Sequence, residues 1–155
     1  MSPELSMVIG YFIGDGNLEK TSIRFRNARK ELLEYYSGLC QELFGISGNI
    51  TKVNNKNAWT LSINSVAVRR LFKELRTTAL EIISRSPKSH VAAFIRGFVD
   101  AEGSVDKSNP RITISQKDEN VLKHLQLLLL RFGICSSFWS GRVPNIMIDG
   151  RDMVS

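Results

Sequence analysis

A chain of 155 residues, 43% of them hydrophobic, can bury a core as one compact unit without disulfide or metal staples, and its formal charge of +6 with a pI near 9.6 fits a polyanionic partner. Cys40 and Cys135 stand far apart with no C-x-x-C pair, which argues against a cysteine zinc site or a disulfide framework and for two small buried thiols in a reducing, intracellular setting, cytoplasmic with an organelle left open. No stretch approaches transmembrane length, so no membrane partner is expected.

Ser2-Pro3-Glu4 opens the first helix, with serine at the N-cap, proline in the first turn and an acid at the positive dipole end. The helix should run to about Asp15. Its apolar run from Leu5 to Ile13 has no basic segment before it and ends on an acid, so it does not read as a secretion signal. Ser22 to Asn27 alternates strictly, turning Ile23 and Phe25 to a core and Arg24 and Arg26 outward. An amphipathic helix follows over about residues 29–44. Residues 49–54 and 58–64, joined by a turn rich in Asn and Lys, read as a hairpin, and two helices at about 66–75 and 79–84 close the segment.

The pattern then restarts. Ser86-Pro87 or Ser89 begins a second leading helix, residues 111–115 alternate as Ser22 to Arg26 do, a helix spans about 119–131, and strands occupy 136–141 and 145–148. Leu43-Phe44-Gly45-Ile46 and Arg131-Phe132-Gly133-Ile134 follow corresponding helices, so the chain reads as a duplication with halves at 1–87 and 88–155. The copy is incomplete. With Ile63-Asn64-Ser65 set against Ile148-Asp149-Gly150, only Arg151 to Ser155 remain where the first half has its closing helices; either the second half is pared down or the chain is truncated.

The sharpest repeat is Val8-Ile9-Gly10-Tyr11-Phe12-Ile13-Gly14-Asp15-Gly16 against Ile95-Arg96-Gly97-Phe98-Val99-Asp100-Ala101-Glu102-Gly103. A glycine inside a helix costs roughly 1 kcal/mol relative to alanine, so the small residues at i, i+4 in both copies point to two helix backbones in close approach. Packed side by side and parallel, the helices would bring Asp15 and Glu102 together at their negative dipole ends, where a cation relieves the repulsion.

Both phrases resemble the motif of the LAGLIDADG homing endonucleases, and their presence in one chain resembles the single-chain members, compact archaeal intron-encoded ones among them. The resemblance runs from residue 5 to about 149. Ile13 stands where the motif has its first Asp and Arg96 where it has an alanine, and neither position carries metal. The resemblance implies an α+β fold of two pseudo-twofold-related αββαββ halves with antiparallel DNA-binding sheets. The halves would pack through Gly10, Gly14, Gly97 and Ala101, the second being shortened at its C-terminus. It further implies a site-specific endonuclease cutting both strands of a long DNA target across the minor groove, leaving short 3′ extensions. Mg²⁺, or Mn²⁺ in its place, would be held by Asp15 and Glu102. A monomer is expected, with self-association if the second half is uncapped. A non-cutting intron maturase or DNA-binding regulator of the same fold is the alternative.

The chemistry agrees with that assignment. Phosphodiester hydrolysis needs charge stabilisation and a deprotonated water, both supplied by a divalent ion on carboxylates, and Mg²⁺ makes do with one or two of them. His90 and His124 form no ligand cluster, and Asp100-Ala101-Glu102-Gly103 has its glycine too early for a calcium loop. Asp100, half a helical turn from Glu102, reads as structural. At the ends of the outward strands, Gln116 and Lys117 match Asn27 and Ala28; Gln116, Lys117 and Asn27 are candidates to orient water or stabilise the leaving oxygen, with Lys107 a weaker one. The sheet faces would read the major groove through Arg24, Arg26, Lys52, Asn54, Lys56, Thr60, Ser62 and Asn64 in half one. Arg111, Thr113, Ser115, Trp139 and Arg142 would do so in half two.

Overall fold

The computed structural model describes residues 1–106 and 108–149. Helix α1 (Pro3–Asp15) leads into β1 (Gly16–Leu18), β2 (Ser22–Asn27), α2 (Lys30–Phe44), β3 (Asn49–Lys52), β4 (Trp59–Asn64) and α3 (Val66–Ser84). The order then repeats as α4 (Lys88–Glu102), β5 (Gly103–Asp106), β6 (Arg111–Ser115), α5 (Glu119–Leu130), β7 (Ser137–Trp139) and β8 (Asn145–Asp149). Each half carries an antiparallel four-stranded sheet, ordered β1-β2-β4-β3 and β5-β6-β8-β7. The duplication is the one expected from the repeat, and the α+β architecture the one implied by the resemblance. No helix among the described residues is long and apolar enough to cross a membrane.

Ser2 caps α1 through a 3.1 Å bond from the Leu5 N–H. Strand registers align the halves residue by residue: Phe25 pairs with Gly16 and Leu61, and Ile114 with Gly103 and Ile146. Alternation turns Ile23, Phe25, Leu61 and Ile63 inward in one sheet and Ile114, Ile146 and Ile148 in the other. Over these faces lie Leu33, Tyr36, Leu39 and Cys40 of α2 and, at the same spacing, Leu122, Leu125, Leu128 and Leu129 of α5.

The halves meet through α1 and α4. A methyl group added to Gly10 would run into the Phe94 carbonyl, and one on Gly97 into the Met7 carbonyl. The operation that carries Asp15 to Glu102 also carries Gly10 to Gly97 and Met7 to Phe94, so these are one contact seen twice, and the helices run parallel about a pseudo-twofold axis. A Cβ on Gly14 would come within 2.9 Å of the Ala101 methyl, closing the seam at the C-terminal end.

Four expectations need correction. The two closing helices of half one are a single α3, because Val68, Phe72, Leu75, Ala79 and Ile83 continue one buried stripe with no glycine or proline to break it. Strands β1 and β5 are too short to show a period in sequence and are held by register with β2 and β6. Strand β7 is confined to Ser137–Trp139. Cys40 is buried as expected, but Cys135 is exposed in the connection after α5. In half one, α3 sets Phe72 against Phe12 and Phe44, ring centroids 5.0 and 6.1 Å apart. Among the described residues half two has no counterpart of α3, yet Ile114, Ile146 and Ile148 stay buried; Ile112 is only half-buried where Ile23 is fully covered. Among the described residues of half two, large apolar side chains are exposed at Val105 of β5 and at Leu127 and Leu130 of α5.

Candidate active site and nucleic-acid interface

Asp15 and Glu102 are the last residues of α1 and α4, each helix closed by a glycine whose N–H returns to the carbonyl of Phe12 or Val99. Together with Gly14, Ser115, Gln116, Lys117 and Val143, the two acids line one cleft on the pseudo-twofold axis. Partial burial raises both carboxyls above their ordinary range, and Arg26 draws Asp15 back down. The charge on Asp15 pushes Glu102 further, to about 7. The asymmetry has a sequence cause: Ser115 stands in half two where Arg26 stands in half one.

That shift makes the metal-free fold pH-dependent. Folded Glu102 keeps its proton to about 7 whereas the unfolded chain loses it near the ordinary 4.5, so stability falls as pH rises through that window. Metal-free wild type is expected to melt lower at pH 8 than at pH 5, and Glu102→Gln to flatten the difference. Scanning fluorimetry in chelator checks this; an identical slope in the variant would clear Glu102 of the effect.

Gln116 and Asn27 occupy equivalent strand ends but do different things. Gln116 Nε2 reaches across the seam to the carbonyls of Gly14, at 3.0 Å, and Ile13, at 3.4 Å, while its Oε1 accepts the Lys117 N–H at 2.9 Å. It therefore caps the end of α1 from the other half. Asn27 turns away from the acids: its Nδ2 donates to the Tyr11 hydroxyl at 2.9 Å and its Oδ1 accepts from the Arg29 N–H. The Tyr11 hydroxyl donates in turn to the Arg26 carbonyl at 3.1 Å. Half two has Phe98 where half one has Tyr11, so Gln116 finds no hydroxyl beneath it and extends across. Lys117 is exposed in the cleft as expected. Lys107 lies outside the described residues.

The outward face of sheet β1-β2-β4-β3 is a polar lattice. Register places Asn17, Arg24, Ser62 and Asn49 in one cross-strand row and Arg26, Thr60 and Thr51 in the next, with Asn64 beyond at the end of β4. Arg24, Arg26 and Thr60 share a second cleft with Asp15, Asn17 and Glu19, and Arg24 lies 3.6 Å from Glu19. Asn17, Asn49 and Thr51 share this outward face beside the residues expected there from the sequence. The alternation of β3 carries the signal for the last two, whereas only register reveals Asn17. Lys52 is a correction: it has the opposite parity, pairs with Trp59 and sits with Lys30 over that indole, 5.9 and 4.7 Å from the ring centre. Asn54 and Lys56 are exposed in the hairpin turn.

In half two, Thr113 shares a row with Ser104, Met147 and Ser137, and Ser115 one with Asn145 and Trp139, whose ring is half exposed. Arg111 sits in register with Asp106 and Asp149, which dilutes its positive field, and Arg142 is exposed in the turn before β8. Among the described residues, half one thus holds the more basic face. Arg24→Ala and Arg26→Ala are expected to weaken DNA binding and, where a base is touched, to relax specificity at one position by roughly 1–3 kcal/mol. Salt-titrated binding assays separate base from phosphate contacts, and unaltered affinity and specificity would remove β2 from the interface.

The family model of the LAGLIDADG-like domain matches residues 2–76 and 89–145, one stretch in each half. The chain belongs to that family. Among its relatives, the glutamine–fructose-6-phosphate aminotransferase of Methanocaldococcus jannaschii is 35% identical over 147 residues, covering 88% of this chain, and an A-type ATP synthase subunit of Methanopyrus kandleri is 32% identical over 136, covering 86%. This chain spans only 13% of the length of each. Two solved structures share the LAGLIDADG fold. I-DmoI in complex with DNA and Mn superposes with a TM-score of 0.75 at 21% identity, over 98% of this chain and 92% of that one. The N-terminal LAGLIDADG domain of DUF199/WhiA also gives 0.75, at 15% identity, over 99% and 80%.

Proposed function

We propose that this LAGLIDADG chain is a site-specific DNA endonuclease that hydrolyses both strands of a duplex with divalent metal ions, Mg²⁺ foremost and Mn²⁺ as substitute. The observation that carries the reading is the pair of acids, Asp15 and Glu102, at matched helix ends in one cleft between two polar sheet faces. Two mutually repelling carboxylates at negative helix ends form a hard oxygen site that suits such an ion. No third His, Cys, Asp or Glu joins them among the described residues, in keeping with a cation that retains water and phosphate oxygens.

When bound, the ion acidifies water and neutralises charge on the phosphate. The chain's own residues do the rest. Asp15 and Glu102 hold the ion, Gln116 fixes the end of α1 behind Asp15, and the Lys117 ammonium faces the cleft where a leaving oxygen gains charge. The two sheets would seat the duplex across the axis, each addressing one side of the target. Because one module recurs as a small part of unrelated enzymes, an aminotransferase and an ATP synthase, we read it as the nuclease of a mobile insert. The structure of I-DmoI with DNA and Mn supports the partner and the metal.

Selection from a random duplex library with Mg²⁺, followed by sequencing of cut ends, tests the reading. One long recurrent site cut in both strands is expected. Duplexes bound but never cut would instead favour the non-cutting maturase or regulator.

A further inference from the structure

The ends of the two motif helices are braced by different devices. Gln116 holds α1 from half two. The end of α4 is held from half one by Tyr36, a fully buried residue of α2 whose hydroxyl donates to Asp100 Oδ2 at 2.7 Å. A carboxylate in the last turn of a helix opposes the dipole, so Asp100 needs a compensating partner, and a hydrogen bond to a charged acceptor is among the stronger kinds. Burial and the nearby Asp100 keep the Tyr36 hydroxyl protonated, hence a donor.

Tyr36 is itself clamped. Its ring lies 4.5 Å from that of Tyr11 on α1 and 5.6 Å from Tyr35, edge to face. Tyr11 is bonded in turn to the Arg26 carbonyl and Asn27, so an unbroken path of contacts joins the end of α4 to the end of β2, where Arg26 acts on Asp15. The pseudo-symmetric positions are apolar: Ile13 corresponds to Asp100 and Leu125 to Tyr36. The polar pair is therefore no requirement of the fold, which uses it on one side only.

We infer that Tyr36 and Asp100 are positioning residues that hold the Glu102 end of α4 against half one. Asp100 lies two residues before Glu102, on the far side of the helix, so anchoring it sets the angle at which Glu102 meets Asp15. The consequence for catalysis rests on the endonuclease reading; the placement of Glu102 does not.

Tyr36→Phe keeps the ring and removes the donor, Asp100→Asn keeps an acceptor, and Asp100→Leu removes it. In amide spectra of the metal-free protein, Tyr36→Phe should shift the signals of Ala101, Glu102 and Gly103 more than those of Gly14, Asp15 and Gly16. On a plasmid carrying the selected site, Tyr36→Phe and Asp100→Leu should accumulate nicked circle, one strand slowing about 10- to 100-fold as expected for a slightly misplaced group. The double variant should be no worse than either single, DNA affinity should hold, and Asp100→Asn should cut nearly as wild type. Unmoved signals at residues 101–103 overturn the inference whatever the cleavage result. Wild-type rates in both variants, or equal loss on both strands with a lower melting temperature, reduce the pair to a fold brace and overturn its positioning role. If the wild type cuts nothing, the endonuclease reading fails, and the spectra alone decide the placement.

Discussion

Asp15→Asn and Glu102→Gln are each expected to abolish Mg²⁺-dependent cleavage while DNA binding persists. Both substitutions keep side-chain volume and remove a carboxylate charge from the shared cleft, where the proposed ion would sit. Losing an outer-shell partner of a bound metal costs roughly 10- to 100-fold, and losing a ligand should cost more. The polar sheet faces are untouched, so affinity without metal should hold or rise as an anion facing the phosphates is removed. Neither variant should be less stable when metal-free, because each takes a negative charge away from a negative helix end. Supercoiled plasmid cleavage and metal-free gel-shift assays measure the two halves of the claim. Full cleavage by the double variant would defeat the assignment, and loss of folding would make the acids structural.

The largest effect on stability is expected from a single methyl group. A Cβ on Gly97 falls on the Met7 carbonyl and within 2.9 Å of the Tyr11 nitrogen, both backbone atoms of a buried helix. Neither can swing aside as a side chain would. Gly97→Ala should therefore cost at least the roughly 1–3 kcal/mol usual for overpacking, and its mate Gly10→Ala should do the same. Gly38, on the exposed side of α2 with no atom within 4 Å of its would-be Cβ, is the control. Gly38→Ala should stabilise by about 0.4–1 kcal/mol through helix propensity and the unfolded chain. Urea unfolding compares all three, and a Gly97→Ala protein as stable as wild type would mean that α1 and α4 do not meet as described.

Much of the fold is legible because its signals are local. Alternation in Ser22 to Asn27 orients Ile23 and Phe25 correctly, the serine–proline start locates α1, and the paired small residues locate the seam. The break placed between residues 75 and 79 misreads polar Arg76, Thr77 and Thr78 as a boundary, although they are the outer side of one turn; Thr77 and Thr78 bond back to the Glu74 carbonyl within α3. Lys52 is expected on the same outward face as Arg24, and one residue of register puts it on the other.

What the sequence by itself determined is the duplication, the parallel helix seam and the identity of the two acids, because each depends on residue type and spacing along one segment. Only the tertiary structure decided how unequal the halves are: that Gln116 crosses to cap α1 while Asn27 stays with Tyr11, that Arg26 draws Asp15 back down while burial and the charge on Asp15 push Glu102 up, and that Tyr36 reaches Asp100. These contacts join residues remote in the chain, and which donor meets which acceptor is set by register and helix packing. A periodic pattern records which face a side chain occupies and carries nothing about the partner it finds there.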